Sequence, residues 1–191
     1  MKPLVKLWWL SLVLVSSLAY AQKGNILMVI AQEGFRDEEL TIPKAMFEEK
    51  GYKVEIASKA MGEAKGMLGL RVKPDLALKE VDLKKYKALI FVGGVGAKDY
   101  FGDQIALKLA REAVDQGKVV GAICLAPGIL ARAEILKGKK ATVWPSEAET
   151  LKQKGAIYTG KPVEVDGKIV TANGPEAAKA FAERVLELLE R

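Results

Sequence analysis

A single cysteine, Cys124, lies in the run VVGAICLAPGIL (119–130) of a 191-residue chain that has no histidine. A thiol between a β-like apolar run and a helix-like run is a candidate nucleophile, but no imidazole exists to deprotonate it. A tight strand-to-helix turn brings the side chains two positions either side into contact and needs them small. Here they are Ala122 and Ala126. The helix that follows would point free N–H groups and its positive dipole end at the sulfur, which favours the thiolate. The same turn would leave the backbone N–H of Leu125 facing the site, and a second donor from the glycine loop, Gly94, would complete a pair able to hold an oxyanion or a sulfinate. The competing reading is a buried, inert cysteine acting as a small hydrophobe.

Other chemistries are poorly supplied. With no histidine and one cysteine, only carboxylates remain as strong metal ligands, and no run has calcium-loop spacing, so no metal is expected. The chain carries 30 Lys and Arg against 24 Asp and Glu, interspersed along its length with no basic tail and no aromatic-basic stripe. That pattern reads as a solvated mixed-charge surface, not as a nucleic-acid-binding one.

The first residues, MKPLVKLWWLSLVLVSSLAYAQKG, place two lysines before an uncharged run (7–21) that ends in a small-x-small motif. This is the pattern of a secretory signal peptide, residues 1–21, cleaved before Gln22. An uncleaved membrane anchor is the alternative, but the run is shorter than a spanning helix needs. The expected product is a secreted or periplasmic single domain, 22–191, with no stable membrane association after cleavage.

The elements that must position the thiol follow a regular alternation. Apolar runs at 25–31, 87–94 and 118–123 read as buried strands, and YKVEIAS (52–58) alternates like a strand. Helical periodicity covers 38–51, with Pro43 near its start or at a kink, and 103–117, 127–136 and 175–191. KATVW (140–144) reads as a strand, and 146–155 as a helix opened by Ser146 as N-cap with Glu149 three residues on. The segment 66–81 reads as short extended pieces, and 162–172 as a hairpin turning at Asp166-Gly167. Alternating strands and helices with continuously apolar strands predict an α/β fold with a mainly parallel sheet covered on both faces. Ligands in such folds sit outside the carboxyl ends of the strands, where both Cys124 and Gly93-Gly94 fall.

GAICLAPGIL, IFVGGVGAKDYF before it and FRDEELTIP behind the first strand, followed by ATVWPS and VEVDGKIVTANGPEAA, resemble in order and spacing the ThiJ/PfpI superfamily. The resemblance runs from Asn25 to Arg191 and implies a flavodoxin-like three-layer α/β/α sandwich related to class I glutamine amidotransferases, usually dimeric. It maps the family's nucleophile onto Cys124, its acid onto Glu39 and its oxyanion donors onto the amides of Gly94 and Leu125. Without it, Asp37, Glu38 and Glu39 would read as charges favoured at a helix start.

The departures are as informative. Leu125 stands where many members carry histidine, Trp144 where others carry histidine before the proline, and Ala126 where glycine is usual. No His-assisted arrangement can form within this chain or with a second copy of it, which weighs against a peptidase. A protonated Glu39 can still donate to the sulfur. Trp144 is a candidate pocket wall or a core residue. The resemblance then implies a stress-protective protein whose Cys124 is oxidised by peroxide to sulfinate. The alternatives are a glyoxalase- or deglycase-like enzyme that acts on small reactive carbonyls without a cofactor, and a chaperone or binding module.

Overall fold

A computed structural model of the chain describes residues 22–191; the signal-peptide reading of 1–21 lies outside them. In chain order the elements are β1 (Gly24–Val29), β2 (Glu33–Phe35), α1 (Asp37–Glu49), β3 (Tyr52–Ser58), β4 (Ala64–Gly66), β5 (Arg71–Val72), β6 (Leu76–Ala77) and β7 (Ala88–Phe91). There follow α2 (Gln104–Asp115), β8 (Val119–Ile123), α3 (Pro127–Arg132), β9 (Lys140–Ala141), α4 (Ala148–Gln153), β10 (Ile157–Tyr158), β11 (Val163–Asp166), β12 (Ile169–Ala172) and α5 (Ala178–Leu189).

The main sheet has the order β11-β12-β8-β7-β1-β3-β6. The strands β3, β1, β7, β8 and β12 are parallel neighbours, the 2-1-3-4-5 order of flavodoxin-like folds. Every residue of β7, β8 and β12 is buried, which is why their sequences are apolar throughout instead of alternating. Helix α1 packs with α5, and α2 with α3, so the sheet has a helical layer on either side. The hairpin turns at Gly167, whose φ of +59° suits glycine. It adds β11 antiparallel at one edge.

Two local expectations fail. Ser146 lies in a 3-10 turn begun by Pro145, and α4 starts at Ala148 with no side-chain cap, so the Ser146 capping box does not form. The helix expected over 127–136 stops at Arg132, because Glu134 turns left-handed at φ +63°. By contrast, Asp103 caps α2 through the N–H groups of Ile105 (2.9 Å) and Ala106 (3.0 Å). Pro43 sits inside α1 and has no N–H to give the Glu39 carbonyl.

The order of β1, β7 and β8 reverses direction between β1 and β7, which opens a crevice at their carboxyl ends. Glu39, Gly93-Gly94 and Cys124 all follow these three strands in sequence.

Candidate active site

Cys124 is the residue after β8 and adopts φ +61°, a left-handed conformation that costs a non-glycine residue about 1–3 kcal/mol. Its surroundings hold it there. Its N–H donates to the Ala172 carbonyl at 2.9 Å, and its own carbonyl accepts the Trp144 N–H at 2.8 Å. Ala122 and Ala126 are fully buried against the turn. Gly93 is needed for the same packing: a Cβ there would lie 2.5 Å from the Cys124 Cβ and 2.5 Å from Glu39 Oε2.

Glu39 belongs to the first turn of α1 and is 0% exposed. Its Oε2 accepts the Gly93 N–H at 3.1 Å, and its Oε1 has no hydrogen-bond partner. Burial pushes its carboxyl up to about 8, against the opposing pull of hydrogen bonds to Cys124 and the Gly93 N–H. Near neutral pH Glu39 is therefore mostly a neutral acid in hydrogen-bonding reach of the thiol.

The thiol itself departs from the sequence expectation. Burial, and then the charge of an ionised Glu39, push Cys124 up to about 12, although the amides of Gly94 and Leu125 beside the sulfur pull it down. Cys124 is 8% exposed, and α3 is a six-residue helix that begins three positions further on. Desolvation thus outweighs the helix end that was expected to favour the thiolate. While Glu39 stays neutral its repulsion is absent and its O–H is a donor toward sulfur, so the two groups titrate as a pair.

The other acids of the same turn have different roles. Asp37 is buried and accepts the N–H groups of Leu68 (2.9 Å) and Leu70 (2.8 Å), tying the 66–70 loop to the start of α1. Glu38 pairs with Arg36 at 2.8 Å near the surface.

A cavity of about 170 Å³ opens onto the thiol, lined by Cys124, Leu125 and Gly94 together with Arg36, Met67, Val95, Trp144 and Pro175. Trp144 is 45% exposed and, with Pro175, also lines a neighbouring cavity of about 290 Å³ bordered by Asn173 and Glu176. The structure thus brings Cys124, Glu39, Gly94, Leu125 and Trp144 into one site. Sequence reading missed Arg36, Met67 and Pro175 as lining residues and Asp37 as a loop tether. Met67 reaches the site through contacts across about thirty residues, its own N–H donating to the Phe35 carbonyl at 2.8 Å beside the β2–β4 pairing and the Asp37 bonds, for which the sequence holds no local signal. Among the described residues no group of three or more His, Cys, Asp or Glu side chains could hold a metal.

A thiol on a strained turn, two amides converging on its sulfur and a buried acid beside it, at the switch point of a flavodoxin-like sheet, define a nucleophile-elbow thiol site. Comparison with known proteins agrees with that class: the model of the DJ-1/PfpI family matches residues 24–188, and the chain belongs to this family. An uncharacterized protein of Methanocaldococcus jannaschii is 46% identical over 173 residues, covering 89% of this chain and 84% of that one. The deglycase PfpI of Pyrococcus furiosus is 33% identical over 166 residues, 87% of this chain and 99% of its own length. Among solved structures, a ThiJ/PfpI domain protein from Brachyspira murdochii superposes with a TM-score of 0.86 at 36% identity, covering 88% of this chain and 97% of that one.

Proposed function

We propose that Cys124 and Glu39 form a cofactor-independent thiol site for small reactive aldehydes or their adducts, a glyoxalase- or deglycase-like activity in protection against carbonyl stress. The observation that carries this reading is a buried acid, ionising at about 8, beside the chain's single thiol. An acid poised near neutral pH serves in both directions of proton transfer. The deglycase name of the Pyrococcus furiosus relative supports the same class of substrate.

In the proposed sequence, Sγ bonds the aldehyde carbon of a 2-oxoaldehyde. The carboxyl of Glu39 takes the thiol proton on one oxygen and releases its own from the other, so the new oxyanion, held by the Gly94 and Leu125 amides, becomes a hydroxyl. Glu39 then gives its remaining proton to solvent, to be regained at the end of the cycle, and as carboxylate moves the proton from that carbon to its neighbour while the hydroxyl proton passes to the neighbouring oxygen, leaving a thioester. Water releases a 2-hydroxy acid and restores the thiol. The sum is aldehyde plus water with no external oxidant. A cavity of about 170 Å³ suits a small carbonyl better than a polypeptide.

The test is turnover of methylglyoxal, and of methylglyoxal-modified amino acids, by residues 22–191 without added cofactor. Turnover in wild type and background rates in Cys124→Ser are expected. No turnover of either substrate, or undiminished turnover in Cys124→Ser, overturns the proposal.

A second reading rests on Glu39 Oε1, which is buried without a partner. A protonated Oε1 and the two amides would hold the oxygens of a sulfinate formed by peroxide. Intact mass against peroxide dose tests it: halting at two added oxygens in wild type, and not in Glu39→Leu, supports this reading. On the same proposal the chain is exported after cleavage before Gln22 and acts as a homodimer. Amino-terminal sequencing and sedimentation test these two points.

A further inference from the structure

Four of the parallel strands are each preceded by a lysine: Lys23 before β1, Lys87 before β7, Lys118 before β8 and Lys168 before β12. The register pairs Ile26 with Ala88, Ala88 with Val119, and Val120 with Ile169, so these lysines form a row across the amino end of the sheet. At ordinary strand spacing the row spans about 14 Å. Lys84, Lys87, Lys118, Lys168 and Arg191 line one cleft there, with a volume of about 470 Å³ and no acidic side chain in its wall.

Among the described residues none of these five forms an ion pair, although carboxylates pair with cations elsewhere over the surface. Lys118 instead donates to the Tyr86 carbonyl at 2.7 Å, and Lys168 to the Gly117 carbonyl at 2.7 Å. Of the nearby acids, Glu190 pairs with Lys23 at 2.9 Å and Glu55 pairs with Lys53 and accepts the Tyr86 hydroxyl, whereas Asp82 accepts only the backbone N–H of Lys84 at 3.1 Å and its carboxylate attracts Lys118.

We infer that this cationic end of the sheet is a docking surface for anionic phospholipid headgroups at a membrane. Two observations favour a lipid surface over a soluble anion. The cations are spread along a row wider than one phosphate group. The chain also enters the fold at this same end, where the Lys87 side chain packs beside Gly24. The sequence immediately upstream is the uncharged run 7–21. A chain leaving or held at a bilayer through that run would present this end to the headgroups. The site with Cys124 lies at the opposite, carboxyl ends of the strands and stays open to solvent. The contact is electrostatic and not spanning, which modifies the expectation of no stable membrane association.

The experiment uses residues 22–191, without the apolar run. The domain stands on its own, since 99% of the Pyrococcus furiosus relative aligns with it. Sedimentation with phosphatidylcholine vesicles, with and without phosphatidylglycerol, measures partitioning. Binding only to the anionic vesicles and loss at high salt are expected. At about fivefold per surface lysine, Lys84→Gln/Lys87→Gln should weaken partitioning about 25-fold. Lys84→Glu alone, at an exposed position, should weaken it if the double variant melts early. Lys98→Gln, at the other end of the sheet, should leave it unchanged. Four outcomes overturn the inference: no dependence on anionic lipid, equal loss in Lys98→Gln, displacement by millimolar inorganic phosphate, or tighter binding to duplex DNA than to vesicles.

Discussion

At the carboxyl ends of β1, β7 and β8 the molecule buries an acid and a thiol against glycines that no other residue could replace. At the amino ends of β7, β8 and β12, lysines that form no ion pair among the described residues surround an open cleft. The same sheet therefore holds one end dry and close-packed, where desolvation sets the protonation of Glu39, and one end wet, where screening limits what any charge contributes. Charge changes at the dry end should alter stability and chemistry together, and those at the wet end should alter neither.

Variants sharpen that contrast in descending order. Gly94→Ala should cost about 3 kcal/mol or more and abolish turnover, because Gly94 has φ +95° and an added Cβ would lie 2.4 Å from the Gly34 carbonyl oxygen. Denaturant unfolding and methylglyoxal turnover measure it. Asp37→Ala should cost about 2 kcal/mol by removing two charged hydrogen bonds, and should raise KM more than it lowers kcat as the Met67 loop loosens. Glu38→Ala, one residue on, breaks only a partly exposed ion pair and should cost under about 1 kcal/mol by the same unfolding assay. At the wet end Lys84→Gln should shift stability by less than about 0.5 kcal/mol. An effect there as large as that of Asp37→Ala would erase the contrast between the two ends.

How much of this was legible in the sequence divides along the same line. The parallel sheet could be read because β7, β8 and β12 are apolar throughout, a pattern that burial on both faces demands. The elbow could be read because Ala122, Ala126 and Gly93-Gly94 are small residues at strand ends. Glu39 could not be separated from Asp37 and Glu38 by local chemistry, since any acid suits a first turn, and only the family resemblance singled it out. The tether made by Asp37 and the wall made by Pro175 depend on contacts distant in sequence. The ionisation of Cys124 was expected in the wrong direction. A sequence displays the helix that follows a thiol but not the desolvation around it, and here desolvation is the larger effect. The lysine row was also present in the sequence, one residue before each strand. It read as part of a mixed-charge surface because the strand register that aligns it is tertiary.

Near neutral pH Glu39 is a neutral acid in the folded protein, and the pH dependence of stability tests that directly. Its carboxyl ionises at about 8 when folded, against an ordinary value of 4.5. Between those limits the folded state binds the extra proton. Its stabilising contribution is full below about 4.5 and is lost as pH rises through about 8, a fall on the order of a few kcal/mol. Glu39→Gln keeps an acceptor for the Gly93 N–H and removes the titration. Unfolding free energies of wild type and Glu39→Gln from pH 4 to 9 should therefore diverge, with wild type losing stability relative to the variant as pH rises. Parallel curves, or a wild type that gains on Glu39→Gln over this range, would mean that Glu39 is already ionised in the fold and would contradict the account.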